Sequence, residues 1–232
     1  MDPATLKKLN IERRERRACV LVTDLIDGRD RIVRDRDVGE IPGDLGVQIG
    51  RVLHSRKSGQ VTIDGRAFFL NVFVPPIRIV AIGAVHITQA LLPIADTAGF
   101  DLEIIDPRQA FASQARFKNT PIAVEWPAAA FAKKPLDRFC AVVALTHDPK
   151  IDDEALIEAL QAQCIYIGAL GSKRSHAKRL ERLTALGISK QNAERINGPI
   201  GLDIGAANPA EIAVSIMAQI IETLRYTDES GS

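Results

Sequence analysis

The hydrophobic pattern of the chain changes at the tandem prolines Pro75 and Pro76. Before them, short apolar or alternating segments such as "ACVLVTDL" and "RAFFLNVFV" are separated by turn-prone Asp-Gly pairs. This pattern predicts a small antiparallel sheet with one helix over residues 45–55. Because the residue before a proline favours extended backbone, we place a domain boundary here, with a small α+β domain over residues 1–76.

From residue 77 to residue 232, continuous apolar runs alternate with segments of helical spacing. The runs are "IRIVAIG", "FCAVVAL" and "CIYIGAL", and "DLEIIDP" is predicted as another strand. Strands that are apolar at every position are typical of a parallel sheet covered on both faces. The second domain is therefore predicted to be α/β with a doubly wound, Rossmann-like sheet. The polar end "YTDESGS" is predicted to be disordered.

The charge balance excludes one class of partner. The 232 residues carry 30 Lys and Arg against 29 Asp and Glu, a net charge of +1, whereas nucleic-acid-binding domains usually show a clear basic excess. The basic stretch "KKLNIERRERR" is helix-prone and is either a solvated face or a docking patch for an acidic partner. Nucleic acid is therefore not expected as the main ligand.

Cysteine use and hydropathy predict a cytoplasmic location. The three cysteines all lie in apolar runs and form no C-x-x-C pair, so we expect buried, reduced thiols and no zinc site. No apolar stretch approaches the roughly 18 residues that span a bilayer, and the charged start has no signal-peptide core. A membrane partner is not expected.

The first candidate site is the turn Gly83, Ala84, Val85 and His86, directly after a buried strand. A dinucleotide fingerprint needs a second glycine for approach of the pyrophosphate and a third for close helix packing. Val85 and Thr88 occupy those places here. The motif is degenerate, and it leaves NAD(P) only as a possible cofactor.

Asp106 and Arg108 end the next predicted strand. In Rossmann domains an acidic residue at this place binds a ribose hydroxyl, and a nearby arginine can bind a phosphate instead. The alternative is structural: "DPR" is also an ordinary strand-ending turn in which Asp106 caps local backbone. Both interpretations stay open.

The second candidate site is the glycine-rich loop in "YIGALGSKRSHAKRL". A strand, a loop and a helix follow one another here, so backbone N–H groups can converge on an anion at the helix start. Cations at a helix start are unfavourable unless an anion is bound, although they can also point to solvent. The structural alternative is that Ser172 or Ser175 is a simple N-cap, and His176 is expected at the surface. The candidate binding residues are Gly168, Gly171, Ser172 and Arg174, with Lys173 beside them and Lys178, Arg179 and Arg182 continuing the basic run.

The third candidate is Thr146, His147 and Asp148, which follow a buried strand at the edge where ligands bind in this architecture. These side chains can bind, orient or transfer protons, or Asp148 can simply stabilise the loop before Pro149. His86 lies on the same edge, but without an acidic partner at metal spacing the two histidines predict no metal site.

The fourth candidate is the loop "GPIGLDIG", where Gly201 permits close approach of a ligand and Asp203 could orient it. A structural turn is the alternative. Asn208 and Glu211 follow as the N-cap and third residue of a C-terminal amphipathic helix.

The motifs together resemble a known family. "GAVHITQAL", "IDPRQAFASQARF", "THDPKIDD", "YIGALGSKRSHAKRLERL" and "GPIGLDIGAANPAEIAVSIMAQII" occur in order and look like the Rossmann domain of the XdhC/CoxI family over residues 77–225. That family comprises accessory proteins for xanthine dehydrogenase and CO dehydrogenase. The resemblance implies a factor without turnover of its own that binds the molybdenum cofactor, protects it while a cysteine desulfurase supplies sulfur, and passes it to the apo form of a molybdenum hydroxylase.

The resemblance also implies that Asp106, Arg108, the Thr146–Asp148 triplet and the Gly201–Asp203 segment line one edge. Two departures stand out: Val85 replaces a glycine of the family's usual turn, and "VGEIPGDLGVQIG" lacks the cysteine that many members carry there. An NAD(P)-dependent oxidoreductase and a cofactor-free scaffold remain alternatives. Apolar positions at helical spacing in the C-terminal helix predict a core or interface stripe, formed by Ile212, Ile216, Ile220 and Leu224. A homodimer through this helix or through the small sheet is a further hypothesis.

Overall fold

The computed structural model describes residues 1–112, 115–117 and 120–226, and these residues divide into two compact units, Met1–Pro75 and Pro76–Arg225. Residues 227–232, most of the polar end predicted to be disordered, lie outside the described residues. No helix in the described ranges combines the length and the apolar character needed to cross a membrane.

The first unit is the predicted antiparallel sheet with its helix. It contains α1 (Pro3–Arg14), β1 (Cys19–Asp24), β2 (Asp30–Arg34), a 3-10 turn (Asp35–Glu40), α2 (Gly43–Ser55), β3 (Gly59–Ile63) and β4 (Arg66–Phe73). The strand order is β2-β1-β4-β3, and every pair is antiparallel. Val20, Val22 and Leu70 of the sheet pack with Ile49 of α2 in one buried cluster. Asp64 and Gly65 connect β3 to β4 with positive φ at both residues, the geometry that two-residue hairpins prefer.

The second unit confirms the Rossmann-like prediction. Its elements are β5 (Arg78–Ile82), α3 (His86–Thr97), β6 (Asp101–Ile105), β7 (Ile122–Ala123), α4 (Pro127–Lys133), β8 (Cys140–Ala144), α5 (Pro149–Gln161), β9 (Tyr166–Ala169), α6 (Lys173–Ala185), α7 (Lys190–Ala193) and α8 (Pro209–Tyr226). The five strands are parallel in the order β7-β6-β5-β8-β9. The strand order reverses beside β5, which is where ligands bind in doubly wound folds.

A short bridge extends the parallel sheet beyond β9, and a side-chain cap starts α8. Asn197 forms a parallel bridge to Gly168 of β9, so the chain after Asn197 leaves from the same edge as the loops after the strands. Asn208 accepts the amides of Ala210 and Glu211 at the start of α8, and Glu211 accepts the amide of Ala207. This reciprocal cap confirms the predicted helix start.

Candidate functional site

The carboxyl ends of β5, β6, β8 and β9 meet at one edge of the parallel sheet. The register pairs Ile82 with Ile105 on one side and with Ala144 on the other. The Gly83 amide then donates to the Ile105 carbonyl, and the Leu170 amide donates to the Ala144 carbonyl, both at 2.8 Å. The loops after these strands therefore begin side by side.

Gly83 is required at the first turn because β8 passes close to it. Its φ is +119°, and a Cβ placed there would lie 3.0 Å from Cγ2 of Thr146. Ala84 is fully buried and donates its amide to Asp106 at 2.8 Å. Val85 precedes α3 in extended backbone and gives no side-chain cap, and His86 is exposed at the first position of that helix.

Asp106 and Arg108 form a closed arrangement at the end of β6. Asp106 is fully buried and accepts hydrogen bonds from the Ala84 amide and from the amide, Nε and Nη2 of Arg108, all at 2.8–2.9 Å. Burial alone would raise the pKa of Asp106, but these hydrogen bonds outweigh it and the pKa lies below its usual value. The bonding corresponds to the structural alternative, in which Asp106 organises the turn.

The Arg108 guanidinium is also held from its other side, where it lies 4.3 Å over the Phe111 ring. Hydrogen bonding to Asp106 is the main cause that raises its pKa, and the carboxylates of Asp148 and Asp152 add to the shift. Arg108 therefore faces acidic groups from both β6 and the β8 end of the sheet, so its positive charge is largely compensated.

The triplet after β8 divides into three different environments. Thr146 is buried, His147 is exposed with a φ of +61°, and Asp148 caps α5 by accepting the Lys150 amide at 3.0 Å. A non-glycine residue in the left-handed region is strained, and such residues concentrate at functional sites. Asp148 has the loop-stabilising role that was one of its two interpretations.

Asp152, on the first turns of α5, was not singled out from the sequence. Its side chain is 1% exposed, and Oδ1 accepts the Thr146 hydroxyl at 2.7 Å and the Thr146 amide at 3.3 Å. Its Oδ2 is buried and has no hydrogen-bond partner among the described residues. Burial raises the pKa of Asp152 above its usual value, against the opposing effects of Thr146 and Arg179.

The loop after β9 starts α6 in the manner expected for a helix N-terminus. Gly171 has a φ of +142°, and Ser172 is the N-cap, with its Oγ accepting the Ser175 amide at 3.2 Å. Lys173 and Arg174 are exposed in the first turn. The sequence interpretation of Ser172 as a cap is confirmed.

Arg179 corrects the expectation of a solvated basic run. It is 5% exposed, and its Nη2 donates to the Leu170 carbonyl at 2.8 Å. Within the described ranges its Nε and Nη1 are buried without an acceptor. Helical spacing was the available signal, because Arg179 lies four residues before the fully buried Leu183 and therefore on the inner face.

Two other basic residues of α6, Arg182 and His176, have different surroundings from Arg179. Arg182 donates from Nε and Nη2 to Asp153 at 2.7 and 3.0 Å. His176, expected at the surface, is partly buried, and its buried Nδ1 would be only 2.1 Å from a Cβ placed on Gly198. Burial and then the charge of Arg179 lower the pKa of His176.

Packing accounts for two of the predicted binding glycines. A Cβ on Gly168 would lie 2.6 Å from both Ile200 and the Tyr166 hydroxyl, and one on Gly201 would lie 2.2 Å from the Ser215 hydroxyl. Gly201 also has a φ of +90°. Asp203 is exposed in the loop that follows the Asn197 bridge, at the edge of the sheet where the carboxyl ends of the strands meet.

The described residues contain no group of three or more His, Cys, Asp or Glu side chains that could hold a metal ion. The three cysteines are buried and unpaired, as expected. What the edge does offer is a glycine loop at a helix start, a buried arginine beneath it and a buried carboxyl group beside it. Fold and edge together define a Rossmann-type domain with a glycine-rich loop and a helix start after its fifth strand.

Comparison with known proteins makes the assignment specific. The family model described as the XdhC Rossmann domain matches residues 79–220, so the chain belongs to the XdhC family. It is 29% identical over 159 residues to the molybdenum cofactor insertion chaperone PaoD of Escherichia coli K12, covering 68% of this chain and 44% of that protein. It is 33% identical over 162 residues to a probable xanthine dehydrogenase component of Bacillus subtilis 168, covering 67% and 45%.

A solved structure supports the same fold. A crystal structure described as a xanthine dehydrogenase from Bacillus halodurans matches with a TM-score of 0.71 and 25% identity, over 98% of this chain and 68% of that one. The chain spans less than half the length of the two curated relatives above. The resemblance to the XdhC/CoxI family is confirmed.

Proposed function

We propose that this protein is a maturation factor that binds the molybdenum cofactor and delivers it to an apo molybdenum hydroxylase of the xanthine dehydrogenase or CO dehydrogenase type. The observation that carries the proposal is membership of the XdhC family together with similarity to a relative named as a molybdenum cofactor insertion chaperone. The role requires binding and release of a cofactor rather than turnover.

The chemistry of the ligand edge supports the proposal. The molybdenum cofactor is a pterin that carries a phosphate, or a pyrophosphate in its dinucleotide form. The α6 start and Arg179 supply the positive electrostatic environment that such a group needs. The exposed side chains of His147 and Asp203 leave the same edge and are candidates for contacts with the remainder of the ligand.

Cofactor binding is tested by anaerobic incubation of the purified protein with cofactor released from a molybdenum hydroxylase, followed by size exclusion. Molybdenum and pterin fluorescence should co-elute with the protein in near-stoichiometric amounts. An unrelated protein of similar mass, incubated in parallel, sets the background. Co-elution no greater than that background would contradict the proposal.

The finer part of the proposal concerns partners. The protein is proposed to hold the cofactor while a cysteine desulfurase supplies the terminal sulfur, and then to contact the apo-hydroxylase. Adding this protein to a mixture of apo-enzyme, cofactor and desulfurase should raise the yield of active hydroxylase several-fold. If the yield is the same without the protein, the delivery role fails even when binding is observed.

An NAD(P)-dependent oxidoreductase is the second candidate, favoured by the strand order and by an acidic residue at the end of β6. Two observations weigh against it. Val85 stands where the fingerprint has its second glycine, and the oxygens of Asp106 already accept four hydrogen bonds. Titration with NADH and NADPH separates the candidates, because micromolar binding is expected only of the oxidoreductase.

A further inference from the structure

The first turn of α6 leaves amide groups without internal acceptors. The helix is 13 residues long, and the Ser172 side chain satisfies only the Ser175 amide. The amides of Lys173 and Arg174 lie in the turn that has no intrahelical partner, at the positive end of the helix dipole. Such a helix start attracts anions in many proteins and is not by itself a site.

Arg179 provides the independent observation. Its guanidinium lies under the same loop, with Nη2 bonded to the Leu170 carbonyl and 3.9 Å from the place of a Cβ on Gly171. Nε and Nη1 are buried without an acceptor anywhere in the described part of the chain. An arginine stays charged inside a protein, and a buried donor without an acceptor costs free energy. The arrangement therefore leaves a buried positive charge with two unsatisfied donors beneath the loop.

Asp152 does not supply that anion by hydrogen bonding. It attracts Arg179 electrostatically, yet its Oδ2 is itself buried without a described partner. Asp153, the next residue of α5, accepts two hydrogen bonds from Arg182, which lies three residues after Arg179 on α6, so the two helices pack together at this level. Two buried groups of opposite charge thus stand near each other, each with an unsatisfied atom, beside a glycine loop.

We infer that Arg179 binds a phosphate group of the ligand together with the amides at the start of α6, and that Asp152 is the carboxyl group with which this phosphate competes for Arg179. The inference rests on the proposed function only for the identity of the ligand, a pterin phosphate or pyrophosphate. The fork of N–H donors of a guanidinium suits phosphate oxygens, and exposed Lys173 and Arg174 add positive charge around the loop.

The test measures binding of inorganic pyrophosphate and of inorganic phosphate by calorimetry, with citrate as a non-phosphate anion. The wild-type protein should bind pyrophosphate more tightly than citrate. Arg179→Gln should weaken pyrophosphate binding at least about tenfold, the loss expected for charge-assisted hydrogen bonds. Lys178→Gln, which removes an exposed charge from the adjacent position of α6, is the matched control and should change binding less than about twofold.

Asp152→Asn keeps the inference testable if Arg179→Gln does not fold. Removing the competing charge should tighten pyrophosphate binding several-fold, whereas a purely structural role for the pair predicts no tightening. The inference is overturned if wild-type protein prefers citrate, if Arg179→Gln binds pyrophosphate normally, or if Asp152→Asn binds it unchanged or more weakly.

Failure of the Arg179 phosphate site can be distinguished from failure of the proposed cofactor-binding function. If the molybdenum cofactor co-elutes equally with wild type and Arg179→Gln, the function stands and the Arg179 site fails. If pyrophosphate binding depends on Arg179 but no cofactor co-elutes, the phosphate site stands and its proposed ligand is wrong.

Discussion

Asp106 accepts three hydrogen bonds from Arg108 and one from the amide of Ala84, so one buried carboxylate joins the turn after β5 to the end of β6. In a nicotinamide-binding domain, a carboxylate at this position binds a ribose hydroxyl. Here the same residue organises the protein, whereas the loop after β9 is followed by the exposed Lys173 and Arg174 and lies over the buried Arg179.

Replacement of Asp106 by Asn should lower the free energy of unfolding by about 2 kcal/mol at neutral pH, because it leaves Arg108 and the Ala84 amide with poorer acceptors. Urea denaturation measures the change. Asp203→Asn, at an exposed loop position, is the control and should stay within about 0.5 kcal/mol of wild type. Equal stability of the Asp106 and Asp203 variants would contradict this prediction.

The contribution of Asp106 should also depend on pH. Its pKa is lower in the folded protein than the ordinary value of 3.8, so the stabilisation is present above pH 3.8 and is lost as the pH falls through the folded-state pKa. The difference in stability between wild type and Asp106→Asn should therefore narrow in acid. If the stability difference between the two proteins widens below pH 3.8, the prediction is wrong.

Asp152 should show the opposite dependence. Its folded pKa is raised above 3.8 by burial, so the folded state binds its proton more tightly and wild-type stability falls as the pH rises through that interval. Asp152→Asn should lack this fall and be more stable than wild type at neutral pH. Urea denaturation of both proteins between about pH 3.5 and about pH 8 provides the measurement, because this range begins at the ordinary carboxyl pKa and extends well above it.

Gly201 and Gly187 offer a matched pair for separating a steric clash from backbone strain. Their φ values are +90° and +92°, but a Cβ on Gly201 would lie 2.2 Å from the Ser215 hydroxyl, whereas one on Gly187 would have no described atom within 4 Å. Gly187→Ala should cost about 1 kcal/mol and Gly201→Ala about 3 kcal/mol or more in the free energy of unfolding. Equal losses of stability in the two variants would show that backbone strain, and not the steric clash, determines the cost at Gly201.

The thiol of Cys140 should be unreactive in spite of a favourable pKa. Interaction with the neighbouring Cys164 lowers the pKa of Cys140, and Nη2 of Arg78 donates to its sulfur at 3.3 Å. Reaction also needs access, and Cys140 has no exposed surface. Iodoacetamide should label Cys140 only after unfolding in urea, as read by mass spectrometry; rapid labelling of the native protein would disprove this.

The fold was largely predictable because its signals are local. Runs of consecutive apolar residues indicated strands buried on both faces, and Asn208 and Glu211 marked the start of α8 by their spacing. The candidate site was predictable at the level of the sheet edge, since the carboxyl ends of parallel strands meet there. Within the edge, the local alternatives for Asp106 and Asp148 could not be separated, because that required knowing which amides their oxygens meet.

The sequence by itself determined the two patterns of strands, the glycine loop before α6 and the similarity to the XdhC family. Only the tertiary structure decided which polar groups lose contact with water. Arg179 and Lys178 are adjacent basic residues on one helix, yet the first is buried under Leu170 and the second is exposed. Burial sets the energetic need for a partner, and it depends on which loops pack over a residue from distant parts of the chain.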